Sequence, residues 1–280
     1  MAVKKGAAKK SAVAKTTGSE VATSDFSEFA DADGFENTDS DDFAIPILKC
    51  LQPQSPSILG KIPGHETGKV INTSTNEAFD GAGDGRLVFV PSTTTREILE
   101  WKPKNAGLVG RHAMDSAEWE KSQKEGNFPK FKRGDNDMVE TFSVYGVAIS
   151  PDGALTPCMI PFSSTGIKGY KHFMSRARAI QDKNATSGRM TPAPLFSRRY
   201  LLGVKEESNP DGTFYNFDIT LFGGNKNEAL LQTSDPEQHA IVQSAHGMIA
   251  MVNDGTLKVD HNKGGRDASS SQGDAEAPEL

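Results

Sequence analysis

The chain has 280 residues, 36% of them hydrophobic, with 31 Lys and Arg against 37 Asp and Glu for a formal net charge of -6. A mean hydropathy of -0.49 and 27 glycines fall below the apolar content of a fully packed domain, so part of the chain is expected to stay out of the core. No run approaches the roughly 18 apolar residues of a membrane span, and no apolar stretch follows the N-terminal lysines, so a soluble cytoplasmic protein is expected.

Residues 1 to 42 open on Lys4, Lys5, Lys9, Lys10 and Lys15 and then turn acidic from Asp25 to Asp42. Such a segment cannot bury enough apolar area to offset its ordering entropy, and it reads as a disordered charged tail. Residues 261 to 280, rich in Gly, Ser, Asp and Glu, read as a second, acidic tail. A single β-rich domain is expected over 43–260. Cys50 and Cys158 stand far apart and without zinc-site spacing, so neither a disulfide framework nor structural zinc is expected.

Within the domain, Gly81-Ala82-Gly83-Asp84-Gly85 turns the chain into a strand at Leu87, although such a loop could also hold a phosphate or a cation. Arg86 to Pro91 and Thr93 to Trp101 read as two adjacent strands. An insertion over 102–135 follows, with a short surface helix at Ala117 to Lys124 and a basic end at Lys130, Lys132 and Arg133. Met138 to Ser150 alternates Val139, Thr141, Ser143, Tyr145, Val147 and Ile149 on one face. Ser150-Pro151-Asp152-Gly153 turns it into a partner at Ala154 to Phe162. Phe196 to Glu206 and Thr213 to Phe222 form a second hairpin around Ser208 to Gly212.

Two helices interrupt these strands. Ile167, Tyr170, Phe173, Met174, Ala177 and Ile180 recur at helical spacing behind Thr165 as N-cap. Ser234-Asp235-Pro236-Glu237 starts the other helix, which runs through Ile241, Ala245, Met248, Ile249 and Val252 and ends at Asp254-Gly255. The fold class is therefore α+β and β-rich. Its architecture is either a partly open barrel like the oligonucleotide-binding fold, with the helix between strands three and four, or a mixed antiparallel sheet with two helices.

The sharpest chemical feature is charge segregation. From Cys158 to Lys205 there are nine lysines and arginines and one acid, Asp182. Lys168, Lys171, Ser175 and Arg178 share the helix face opposite the apolar stripe, with His172 and Arg176 at its margin. The competing reading is a solvated helix face. In Phe196-Ser197-Arg198-Arg199-Tyr200, alternation puts Arg198 and Tyr200 on one side and Arg199 on the other. An aromatic ring beside arginine can stack on a base while the guanidinium meets phosphate, but Phe196, Tyr200, Leu202 and Val204 would equally form a core-facing stripe.

No phosphate-binding Gly-rich loop with Lys-Ser/Thr, Gly-x-Ser-x-Gly or His-Glu-x-x-His occurs, so no enzyme and no cofactor is expected. His239 and His246 share a helix face, but no acid accompanies them as a metal ligand.

Ile45-Pro46-Ile47-Leu48-Lys49, Asn72-Thr73 with Phe79-Asp80-Gly81, Leu87 to Pro91, Glu100-Trp101-Lys102-Pro103 and Leu195 to Tyr200 together resemble a family of tailed-phage proteins. Some of its members resemble single-stranded DNA-binding proteins of the phage replication module. That resemblance implies a barrel-like fold and sequence-tolerant binding. It also implies an acidic C-terminus that recruits replication proteins, for which Asp274, Glu276 and Glu279 ahead of Leu280 are a loose match.

The expected function is thus single-stranded DNA binding. Lys168, Lys171, Arg176, Arg178, Arg198, Arg199, Lys130, Lys132 and Arg133 would meet phosphates. Tyr200 and Trp101 would be the stacking rings, with Tyr145 and Tyr215 behind them. The alternative is a phage structural or assembly protein whose β-rich body associates with copies of itself.

Overall fold

The computed structural model describes residues 44–103, 106–125, 131–184, 186–210 and 212–261. Both predicted tails, apart from His261, lie outside these residues, as does Lys130.

The centre of the fold is a ribbon of two 14-residue antiparallel strands, β5 (Val88–Trp101) and β8 (Asn136–Ile149). They pair along their whole length, from Val88 with Ile149 to Trp101 with Asp137. Each outer edge of the ribbon is shared between two shorter strands. β12 (Tyr200–Asn209) takes one end of β5, with Tyr200 opposite Phe89, and carries β13 (Gly212–Leu221) as its hairpin partner. β6 (Leu108–His112) takes the other end of β5. On β8, β7 (Phe131–Arg133) and β9 (Leu155–Ser163) divide the strand in the same way.

The α+β, β-rich class expected from the pattern holds, with the sheet in antiparallel order β13-β12-β5-β8-β7. Among the described residues no barrel closes. The gap between β9 and β13 is spanned by a small sheet of β2 (Leu48–Cys50), β3 (Val70–Asn72) and β4 (Ala78–Phe79). It meets β9 through one bridge, Ile47 with Met159, and reaches β13 through a side chain. There Gln52 Nε2 donates to the Tyr215 carbonyl at 2.7 Å and its Oε1 accepts from the Tyr215 N–H at 2.9 Å. Isolated bonds replace the continuous ladder that closure needs.

The two strands expected at Arg86 to Pro91 and Thr93 to Trp101 are one strand, with a register shift between Pro91 and Thr93. The extra residue turns Ser92 toward the second long helix, where its hydroxyl donates to the Ala245 carbonyl. Gly146 lies opposite this bulge. A Cβ there would collide with the Val90 carbonyl and the Phe89 ring, so the close approach of the strands requires glycine. The insertion at 102–135 is no free loop, because β6 and β7 within it join the sheet and α2 (Ala117–Glu125) packs Trp119 edge-on to Phe131 at 4.8 Å.

The sheet is buried on both faces. One face packs Phe142, Val144, Cys158, Ile160 and Phe162 against Leu48, Val70 and Phe79 of the small sheet and against α3 (Gly166–Ala179). The other packs Val90, Tyr145, Val147 and Met159 against α5 (Pro236–Asn253). The alternation on β8 thus marks one face correctly, while the intervening residues fill a second core. β1 (Ala44–Ile45) pairs in parallel with β14 (Lys258–Val259) beside α5, joining the two ends of the described chain, and α1 (Pro56–Leu59) and α4 (Lys226–Ala229) are single-turn helices in the connections.

Candidate nucleic-acid interface

Helix α3 follows β9 after a two-residue turn and lies across the sheet because its apolar stripe fits the aromatic residues beneath it. Phe173 and Ala177 are buried. The Tyr170 ring sits 4.6 Å from Phe142 and 5.7 Å from Phe162, and Phe173 meets Tyr200 edge-on at 5.2 Å. These contacts fix the rotation of the helix. Lys168, Lys171, His172, Ser175, Arg176 and Arg178 consequently face solvent. Lys168, His172 and Arg176 form one i, i+4 row, and Lys171, Ser175 and Arg178, spaced by four and three residues, lie beside it, with neighbouring Cβ atoms about 5–6 Å apart. Arg176 and Arg178 lie in the last turn, where the helix dipole favours cations.

The chain leaves α3 directly into a hairpin that the sequence did not reveal, β10 (Gln181–Lys183) with β11 (Met190–Pro192). Asn184 Oδ1 accepts from the Thr186 and Ser187 N–H groups and shapes its tip. Lys183 and Arg189 flank that tip and are exposed. Among the described residues, none of Lys168, Lys171, Arg176, Arg178, Lys183 and Arg189 is ion-paired.

The reason is that Asp182, the one acid of the segment, is used elsewhere. Arg198 is 2% exposed and donates to both carboxylate oxygens of Asp182, at 2.8 and 2.6 Å. These bonds hold the Asp182 carboxyl below the usual aspartate range. Arg198 is therefore corrected from a phosphate contact to a buried structural cation. Arg199 is half-buried, donates to the Glu228 carbonyl at 2.9 Å and lies over the Phe222 ring at 4.4 Å.

The proposed stacking rings are also corrected. Tyr200 is 3% exposed in the core beneath α3, and burial pushes its phenol up to about 12. Trp101 is 4% exposed and Tyr145 3%, so neither offers a face to a base. Tyr215 is half-buried and its hydroxyl donates to Glu206 at 2.7 Å. Lys132 is exposed and Arg133 half-exposed, but they occupy the other end of the ribbon. β5 runs about 40 Å from Phe89, beside Tyr200, to Trp101. Arg133 is moreover paired at 3.0 Å with Glu100, which also accepts from Asn136 and contacts His112. Burial pushes the Glu100 carboxyl up, but these hydrogen bonds and the Arg133 charge outweigh it and hold the group low.

A family model described as Pam3 phage gp34-like protein matches residues 14–258. The chain belongs to that family. No curated protein and no solved structure matches it. Among the described residues the match covers every helix of the Pam3 phage gp34-like chain, the cationic face included, and it agrees with the phage origin that the strand motifs suggest. Among its described residues no helix is long and apolar enough to cross a membrane, and no group of His, Cys, Asp and Glu could hold a metal ion.

Of the predicted site residues, this Pam3 phage gp34-like structure brings together Lys168, Lys171, Arg176 and Arg178 as exposed cations, and Lys183 and Arg189 extend them onto the hairpin. Sequence reasoning missed Arg86. It lies 90 residues before Arg176 and lines the same cavity between α3 and the β12–β13 hairpin. No local spacing carries that signal.

Proposed function

We propose that the protein is a non-catalytic, sequence-tolerant binder of single-stranded DNA, held by its phosphates along α3 and the β10–β11 hairpin. One observation carries this reading: six exposed cations follow one another over about 20 residues of an acidic chain, and none has a carboxylate partner among the described residues. A face held in position by a buried stripe and left without counter-charge suits a polyanion. The exposed polar positions of α3 carry Lys, Arg, His172 and Ser175 but no Asn or Gln, in keeping with binding that does not read base edges. The motif resemblance to replication-module proteins favours single strands.

On this reading the acidic residues from Asp267 to Leu280 compete with the strand for the cationic face or recruit replication proteins. Titration of fluorescent oligo-dT, duplex DNA and RNA at several salt concentrations tests the proposal. Oligo-dT should bind with log affinity falling linearly in log salt, by about 0.7 per phosphate contacted, hence a slope of about -4 for six contacts. A chain lacking residues 267–280 should bind more tightly at low salt only. Absent or salt-independent binding would turn the basic face into a docking surface for an acidic neighbour, as the assembly-protein alternative requires.

A further inference from the structure

We infer that the cavity between α3 and the β12–β13 hairpin is a subsite for one nucleotide, with the base on its apolar floor and the phosphate between Arg86 and Arg176. This deepens the single-strand reading and rests on it for the polymer, although a free nucleotide would recognise the same groups. The cavity has a volume of about 550 Å³, within the roughly 300–1,000 Å³ usual for small-molecule sites. Its apolar floor is formed by the half-buried Leu201 and Leu221 over the buried Phe173, Tyr200 and Ile219. Tyr200 and Trp101 cannot serve as exposed stacking platforms, so an apolar contact for a base on this side of the sheet is offered by this recess.

Two cations line the cavity. Arg86 Nε donates to the Gly83 carbonyl at 2.8 Å, which anchors the guanidinium and leaves its terminal nitrogens for another acceptor. Arg176 ends the row that begins at Lys168 and passes through His172, so the surface stripe leads to the cavity. Neither arginine is ion-paired among the described residues. Two like charges lining one recess repel each other, and an anion between them removes that cost while accepting from both forks. A ligand that is anionic at one end and flat and apolar at the other satisfies both parts. A nucleotide of a single strand has that form, whereas a base in a duplex must first be unstacked and unpaired.

Calorimetric titration of the full chain with deoxythymidine monophosphate, thymidine and inorganic phosphate tests the assignment independently of strand binding. The monophosphate should bind at least about ten-fold more tightly than either fragment, because only it engages floor and arginines together. Arg86→Gln should weaken it about ten-fold. Thr220→Trp, on the strand lining the cavity, should fill the recess and abolish binding at an unchanged melting temperature, which covers the case in which Arg86→Gln disturbs the fold. A monophosphate that binds no tighter than phosphate, or equally to wild type and Thr220→Trp, overturns the subsite even where oligo-dT binds. Tight monophosphate binding without oligo-dT binding keeps the subsite and removes the single-strand reading.

Discussion

Arg198 and Tyr200 sit two residues apart in a segment whose composition suits DNA binding, and both side chains are used internally. The Arg198 guanidinium is anchored by Asp182, whose own side chain is 40% exposed. Arg198→Ala should therefore cost about 2–3 kcal/mol, below the full cost of breaking a doubly buried pair. Tyr200→Ala removes a core ring and should cost about 3–5 kcal/mol, while Tyr200→Phe should cost under about 1.5 kcal/mol. Urea denaturation reads all three, and a Tyr200→Ala cost below about 1 kcal/mol would return the ring to the surface. His261 makes stability depend on pH. It is 6% exposed, and burial first, then the Arg111 charge, push its pKa below the ordinary 6.5, against smaller upward effects of Glu97 and Asp260. The folded state thus binds fewer protons than the unfolded one, so this stability is complete above about pH 6.5 and declines as pH falls below it. Melting temperatures between pH 7.5 and 5 should fall less steeply for His261→Asn than for wild type, and parallel profiles would contradict the assignment.

At the scale of elements, the hairpin β10–β11 extends the cationic face beyond the helix. Lys183→Ala with Arg189→Ala should lower the salt slope for oligo-dT by about 1.4, for two phosphate contacts. Both side chains are exposed, so stability should change by no more than about 0.5 kcal/mol. An unchanged slope would restrict the interface to α3. Helix α3 was legible from its apolar spacing, and α5 from Asp235, whose carboxylate accepts from the Glu237 and Gln238 N–H groups as an N-cap should. The hairpin β8–β9 was legible from alternation and from the Ser150 to Gly153 turn. β2, β3 and β4 were not, because strands of two or three residues have no measurable period. Tyr200 was ambiguous for a different reason: alternating aromatic and basic residues fit a core strand with a polar back as well as a stacking surface. The pairing of Arg198 with Asp182 and the approach of Arg86 to Arg176 are tertiary, and local patterns do not encode them.

Taken whole, the molecule separates its two requirements spatially. The β5–β8 ribbon buries both faces, one under the small sheet and α3, the other under α5, so α3 is held by its apolar side while its charged side remains free. At the far end of the ribbon acids and bases are paired instead, with Arg133 on Glu100 and Arg111 on Glu97 and His112 in contact with Glu100. The cations of α3 and the β10–β11 hairpin are left without a carboxylate partner among the described residues. The triple variant Lys168→Ala, Lys171→Ala, Arg178→Ala tests that arrangement most directly, because all three side chains are exposed and none lines the cavity. Titrated with oligo-dT across a salt series, it should lower the slope by about 2 and weaken binding most at low salt, with the melting temperature unchanged. Wild-type affinity and slope in the triple variant would contradict the account and leave α3 as a solvated face.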